Sequence, residues 1–496
     1  MQNYAIFSIY RAFISIFFNN FAVKRLRKYV RSTIKIKNRF FILYCSRLFV
    51  PLQAEIDMII FLMMNKRLFA TILAGVVALS GMSQVSKTLS PYSMYGLGVL
   101  ADQSQGFNRG MGGLSMGLRS GTMVNMLNPA SYSAVDSLTM IFDMGVSGQM
   151  TNFKEGSRKM NRQSADFDYA VALFRVMPKM GVSVGVVPFS NVGYSFSASE
   201  VALNSNLASL MTYTGNGGFS QAYLGVGYEV FKGFSVGTNF SYFWGNYEKS
   251  LGIAAVNESN MNLIIKMYEA KISSYKLDFG AQGQFALNKN NVLTVGATFG
   301  LGHKLGADAN MYVLNTDAQT SVTDTATVTL GNAFELPMTF GIGAALVHKR
   351  SLTVGADYAF EHWGKLSFPY SNGITNNYEM SGSVLRDRHK ITLGADWIPE
   401  PNPMVRSSFF KRLHYKVGAS YATPYYNIKG EKGPRELALS AGFSIPIINS
   451  WNNRSLLNVS AQWVNSSSKN FITENTFRIN IGLTFNERWF AKWKVD

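Results

Sequence analysis

Phe477-Arg478-Ile479-Asn480-Ile481-Gly482-Leu483-Thr484-Phe485, close to the C-terminus, alternates apolar and polar side chains at every step. Successive side chains of a strand point to opposite faces. This stretch therefore has one face of Phe, Ile and Leu and another of Arg, Asn, Gly and Thr. From Leu138 onward the pattern recurs in about fourteen segments: 138–149, 166–177, 180–198, 218–230, 234–247, 274–287, 292–303, 335–348, 351–364, 386–398, 412–428, 435–447, 454–466 and 475–486. The apolar faces are crowded with aromatics, whereas the opposite faces carry Gly, Ser, Asn, Gln and charges. A soluble sandwich hides its apolar face; here lipid is the solvent that suits it, and a watery or filled lumen suits the other side. The expected fold is all-β, a transmembrane antiparallel barrel of about 14 strands spanning 138–496, located in the outer membrane of a Gram-negative cell.

An even strand number puts both termini in the periplasm. Connection lengths agree with that orientation. Met177-Pro178-Lys179, Lys232-Gly233, Asn288-Lys289-Asn290-Asn291 and Lys349-Arg350 are tight turns. The alternate connections, 151–165, 199–217, 248–273, 304–334 and 365–385, read as long outer loops. Within 248–273, Asn260 to Tyr268 leaves a short amphipathic helix over the mouth as an open alternative.

Charge is unevenly placed. The chain carries +18 overall, but residues 1–83 hold 12 Lys/Arg against 2 Asp/Glu, and the remaining 413 residues carry only +8. No basic helix or zinc spacing accompanies the charge, so nucleic acid is not an expected partner. Met64 begins a complete secretory signal peptide: Lys66-Arg67, the apolar run Leu68–Leu79, then Gly81 and Ser83 before a cut at Gln84. That run is too short for the ~20 residues a helical span needs. Residues 1–63 then read as an extension outside the native protein, 64–83 as the signal peptide. The single cysteine, Cys45, lies in the extension, so the mature chain would use no disulfide.

Residues 84–137 are not strand-like. Gly96, Gly98, Gly106, Gly110, Gly112, Gly113, Gly117 and Gly121 precede Asn128-Pro129-Ala130-Ser131. Tight turns and close packing suit a lumenal plug. Alternation sends Phe234, Val236, Phe240, Tyr242, Trp244, Leu352, Val354, Tyr358 and Phe360 to lipid. Asp143, Asp168, Glu229, Lys276, Asp278, Asp357, Glu361, Arg388, Lys390, Asp396, Lys416 and Arg478 are placed inside, because Arg or Lys on the lipid face costs roughly 2–4 kcal/mol at mid-bilayer. Among them Asp143, Glu229, Lys276, Asp278, Arg388, Lys390 and Arg478 form the expected lumenal polar network, whose mixed signs suit ion pairs that hold a plug. Gly227, Gly237, Gly280, Gly296, Gly355 and Gly394 also fall inward, leaving room for something packed on the wall.

Gly106-Phe107-Asn108-Arg109-Gly110-Met111-Gly112-Gly113, followed by Asn128-Pro129-Ala130-Ser131-Tyr132 before the first strand, resembles the N-terminal region of the FadL family. Those are outer-membrane transporters of long-chain fatty acids and other hydrophobic compounds. The resemblance implies a hatch carrying Asn128, Pro129 and Ala130, and a kinked third strand that opens the wall sideways. Pro188-Phe189-Ser190-Asn191 matches that kink by position, and Glu335-Leu336-Pro337 is also similar to family members. The outer loops lack the family's long apolar helical pair. Proline cannot donate to a ladder, so Pro188 either parts the strands or forms a bulge that tightens curvature.

No catalytic constellation is present. His303, His348, His362, His389 and His414 fall at strand ends or outward positions, and no metal spacing or nucleotide fingerprint occurs. A non-enzymatic barrel with no cofactor is expected. It is either a passive transporter of a hydrophobic or amphipathic small molecule with lateral exit at Pro188, or an adaptor barrel, such as a type IX secretion-associated subunit, that holds an envelope protein. Outer-membrane lipids surround it in both cases.

Overall fold

The computed structural model describes residues 90–137, 139–201, 208–256, 260–371, 377–401, 408–447, 455–469 and 471–488. The expected extension and signal peptide lie outside the described residues. Fourteen antiparallel strands close on themselves: β1 Thr139–Glu155, β2 Arg158–Met177, β3 Met180–Val201, β4 Ala208–Phe231, β5 Phe234–Ala255, β6 Leu263–Asn288, β7 Asn291–Gly300, β8 Thr339–His348, β9 Leu352–Glu361, β10 Arg388–Trp397, β11 His414–Ala422, β12 Arg435–Ile447, β13 Ser455–Ser467 and β14 Thr473–Arg488. Each pairs with its neighbours in sequence, and β1 pairs with β14 from Thr139↔Arg488 to Lys154↔Thr473, which closes the barrel. Closure matters because unpaired backbone is costly against lipid; the β2–β3 ladder is incomplete, running only from Met177↔Met180 to Ala170↔Val186. The outward faces carry the expected apolar side chains. Phe240 and Tyr242 on β5, Ile342 on β8, Leu393 on β10 and Ile479 and Ile481 on β14 are all exposed on the outer wall.

The outer half differs from the sequence reading. The 151–165 loop is a continuation of β1 and β2 joined by a two-residue turn, and β3–β6 also run on well past the expected strand ends. Asn260–Tyr268 is not helical: from Leu263 onward it is the start of β6, laddered to β5 on one side and to the hairpin strand Ala309–Thr316 on the other. Backbone pairing on both edges outweighs any helical spacing. A second strand, Thr323–Leu330, completes that hairpin. Strands β7–β11 are short, at 9 or 10 residues. They stop short of the expected 292–303, 335–348, 351–364 and 412–428, and the chain beyond them folds as loops over the mouth.

Register shifts occur beside the turns at Arg175/Met177, Glu229/Phe231 and Ala286/Asn288, and two further β-bulges break alternation in mid-strand. In β2 the register slips opposite Gly145/Val146, so that Gly145 faces Tyr169 and Val146 faces Phe167. Asp168 is the extra residue, and both Asp168 and Tyr169 turn inward. In β3 the slip lies between Pro188 and Ser190. Inward positions are Ser183 and Val187 below it and Ser190, Val192 and Tyr194 above it, all buried. A bulge re-aims side chains in this way without ending the strand.

Candidate functional site

The inner wall carries a circuit of glycines, and residues 106–135 run against it strand by strand. Gly106 lies on β14 at Gly482, Met111 on Gly418 and Gly394, Leu114 on Gly355, Met116 on Gly296, Asn128 on Gly280, Pro129 on Gly237 and Gly227, and Tyr132 on Gly225 and Gly181. A β-carbon at Gly296 would sit 1.8 Å from the Met116 carbonyl oxygen, and at Gly418 2.1 Å from the Met111 carbonyl carbon. Non-bonded heavy atoms are comfortable at about 3.5–4.0 Å. Only glycine lets the segment's backbone reach the wall at these positions.

Polar side chains fix the register of this contact. Arg109 is almost fully buried and its Nη1 lies 2.5 Å from Asp168. It also donates to Asn480 Oδ1 (3.0 Å) and to the Asp102 carbonyl (2.9 Å). The adjacent bulge residue Tyr169 accepts from the Gly106 N–H at 2.6 Å and donates to Asp143 at 3.0 Å. On the opposite wall, Asp357 accepts the N–H groups of Ser115 (2.6 Å) and Met116 (2.9 Å). Lys416 donates to the Phe107 carbonyl at 2.6 Å. Burial opposes charge on Asp102, but the Arg109 guanidinium, with Lys390 and the Ser104 hydrogen bonds, together outweigh it and hold that carboxyl below the usual carboxylate range.

The Asn-Pro-Ala motif has a local structural role. Asn128 caps the 3₁₀ turn Pro129–Ala134, accepting from the Ala130 N–H at 3.2 Å, and its Nδ2 donates to the Met116 carbonyl at 2.9 Å. Asn is a favoured cap and Pro a favoured first helical residue. Ala130 is buried, and Tyr132 reaches Asn239 on β5 at 3.0 Å.

At the kink, the β2–β3 ladder runs only from Met177↔Met180 to Ala170↔Val186 and ends below Pro188. Above it the β3 edge is met from inside by a two-residue strand, Val99–Leu100, paired with Asn191 and Ser190. The Ala101 N–H donates to the Phe189 carbonyl (2.9 Å), and Ser190 Oγ donates to the Leu97 carbonyl (2.7 Å). Phe189 packs edge-on against Phe243, which stacks on Phe219.

Two further regions complete the lumen. Outward of the kink, loop residues such as Phe334, Trp363, Phe368, Tyr425 and Tyr426 form one apolar core with Leu97, Val192, Phe219 and Phe243. Between that core and the glycine circuit lies a cavity of about 390 Å³. Eight carboxylates line it, Asp102, Asp168, Asp278 and Glu361 among them, against the cations Lys276, Arg388, Lys390 and Arg478.

The structure brings only part of the expected polar set together. Lys276 pairs with Asp278, Arg388 with Glu361 at 2.7 Å, and Arg478 donates to Gln149 at 2.9 Å. Asp143 sits apart at Tyr169, Glu229 accepts the Gly233 N–H at the β4–β5 turn (2.9 Å), and Lys390 lines the cavity. Lys276, Asp278, Arg388, Lys390 and Arg478 thus line one cavity, whereas Asp143 and Glu229 lie apart from it. The contacts that seat the N-terminal segment, through Arg109, through Tyr169 and through Gln282, whose Nε2 donates to the Met116 and Leu118 carbonyls, escape sequence reasoning. Tyr169 escapes it because strict alternation does not foresee a bulge. Among the histidines, His389 meets Tyr358, His362 meets Asp387, His414 meets Asp396, and His303 stacks on Tyr275.

No curated protein sequence matches the chain. Among solved structures, the toluene transporter TodX of Pseudomonas putida aligns with a TM-score of 0.52 at 13% identity, over 80% of this chain and 100% of that one. A FadL homologue of Pseudomonas aeruginosa aligns with a TM-score of 0.51 at 10% identity, over 79% and 99%. At such identities the likeness is one of fold: the chain shares the fold of FadL-type outer-membrane barrels. A family model described as BamG matches residues 63–496, and the chain belongs to the BamG family.

Proposed function

We propose that the chain is a closed outer-membrane barrel that acts through the surfaces it presents to an envelope protein, rather than as an open conduit. The observation that carries this reading is the state of the lumen. Residues 106–135 contact the wall around its circumference, the outer mouth is packed with apolar side chains, and the cavity between them sets eight carboxylates and four cations among apolar side chains such as Phe167, Phe299 and Leu301. An apolar solute placed there would strip water from carboxylates and guanidinium groups without replacing it, which is costly. In this reading residues 90–137 are a permanent plug, and the Asn128-Pro129-Ala130 turn and the Arg109 and Asp357 contacts hold it.

One observation favours a second reading, passive transport. The β2–β3 ladder parts below Pro188, and the apolar outer core reaches that point through Phe189 and Phe243. A hydrophobic compound entering the outer core would meet the side wall there without crossing the charged cavity. Pro188, Phe189, Ser190 and Asn191 would then be a lateral gate, with Val99–Leu100 as its inner cover.

Planar-bilayer recording and mass spectrometry of barrel extracted mildly from outer membranes separate the two. The closed-barrel reading expects no ionic current, an envelope protein in fixed proportion, and no apolar small molecule. A fatty acid or hydrocarbon in fixed proportion to the barrel, with uptake slowed when Pro188→Thr lets the ladder continue, overturns it in favour of transport.

A further inference from the structure

At the end where β1 starts and β14 stops, every described turn carries a basic side chain exposed to solvent. They are Lys179 between β2 and β3, Lys232 between β4 and β5, Lys289 between β6 and β7, Lys349 and Arg350 between β8 and β9, and Lys411 between β10 and β11. None of the six has an ion-pair partner among the described residues. Acidic side chains at the same rim are few. Glu229 is engaged at its own turn, and Glu400 and Asp136 are the others in the described turns and the approach to β1.

Three of these residues occupy backbone that does not suit them. Lys349 and Arg350 have φ of +50° and +56°, and the Ser351 N–H donates to the His348 carbonyl at 2.9 Å. That is the type I′ pattern, whose two central positions ordinarily take Asn-Gly. Lys179 follows Pro178 at φ +68°, a position where Gly or Asn is the usual occupant. Left-handed backbone is strained for a side chain with a β-carbon. Turn geometry alone does not account for long cationic side chains at all three sites.

Apolar side chains lie beside the charges. Phe231 next to Lys232 and Phe285 and Leu287 near Lys289 are more than half exposed, at 59%, 55% and 59%. The short helix Phe409–Arg412 presents Phe410 at 68% exposure directly before Lys411. An exposed apolar residue followed by an unpaired cation marks the boundary between acyl chains and headgroups. The five turns are also spread from β2 round to β11 rather than gathered on one sector. A protein partner needs one sector, whereas lipid is present all round.

We propose that this rim binds anionic phospholipid headgroups of the inner leaflet. The shared chemistry is a phosphodiester met by Lys and Arg at the membrane surface. Phe231, Phe285 and Phe410 hold the turns at headgroup depth.

The test is native mass spectrometry of the full barrel given equal amounts of phosphatidylglycerol and phosphatidylcholine. Wild type is expected to retain phosphatidylglycerol preferentially. Replacing all six residues with Gln is expected to weaken that retention by about tenfold or more. A second variant, Lys349→Asn with Arg350→Gly, installs the preferred turn residues. It is expected to raise thermal stability in phosphatidylcholine while lowering phosphatidylglycerol retention, a combination that a purely structural role for the pair does not produce. Equal retention of both lipids by wild type overturns the proposal, as does unchanged phosphatidylglycerol retention in the six-residue variant. So does loss of a co-purifying protein from that variant with lipid retention intact.

Discussion

Gly296→Val is expected to unseat the N-terminal segment and make a closed barrel conduct. A β-carbon at this position on β7 would lie 1.8 Å from the Met116 carbonyl oxygen, 2.5 Å from its carbon and 2.9 Å from Asn128 Nδ2. Side-chain rotation cannot relieve a clash with backbone. Neither can the segment slide, because Asp357 holds the Ser115 and Met116 N–H groups and Gln282 holds the Met116 and Leu118 carbonyls at 2.9 and 3.0 Å. Overpacking of ordinary cores costs about 1–3 kcal/mol, and this contact is tighter than those. The barrel strands keep their own ladders, so the protein is expected still to insert. The change would appear as ionic current in planar bilayers and as sensitivity of cells to bulky antibiotics. Gly148→Val is the control: nothing lies within 4 Å of a β-carbon there, and neither readout is expected to move. If Gly296→Val remains as closed as wild type, the segment's seat on the glycine circuit is not what closes the lumen.

That circuit is partly legible in the amino-acid sequence. Gly227, Gly237, Gly280, Gly296, Gly355 and Gly394 are inward by alternation alone, and each has an atom of residues 106–135 within 3 Å of where a β-carbon would lie. Strand periodicity is a property of neighbours in sequence, so it can be read from one chain. What meets the wall is different. Arg109 and Asp168 are far apart in sequence, and the segment that carries Arg109 turns through glycines with no period. The extra length of β1–β6 is hidden for a related reason. Arg158–Asn161 and Thr212–Gly215 are polar or half-exposed on both faces, so hydrophobic alternation fades although backbone pairing continues. The apolar core over the mouth joins loops such as 304–338 and 362–387 to strand positions a hundred or more residues away. Only the folded chain reveals such contacts.

Arg109→Ala is expected to destabilise the folded barrel by about 3–5 kcal/mol, the usual cost of removing one partner from a buried ion pair. The guanidinium links Asp102 and the Ser104 turn of the segment to Asp168 on β2 and Asn480 on β14. Without it, Asp102 and Asp168 lose the cation that lies between them at the cavity wall. Heat-dependent migration of folded barrel on gels, with and without Asp168→Asn, closes a double-mutant cycle. The two substitutions should be strongly non-additive, because Asp168→Asn removes the charge that Arg109→Ala strands. The pH dependence adds a readout with a definite sign. Asp102 has a depressed folded-state pKa, so its contribution is complete above about pH 4, where the unfolded carboxyl is ionised, and is lost as pH falls further. In Arg109→Ala, burial is opposed only by Lys390 and the Ser104 contacts. The loss on acidification should therefore shrink relative to wild type. A variant as stable as wild type at pH 7, or one with an unchanged acid profile, would mean that the segment is held by the shape of the glycine circuit alone and that the buried arginine is incidental to it.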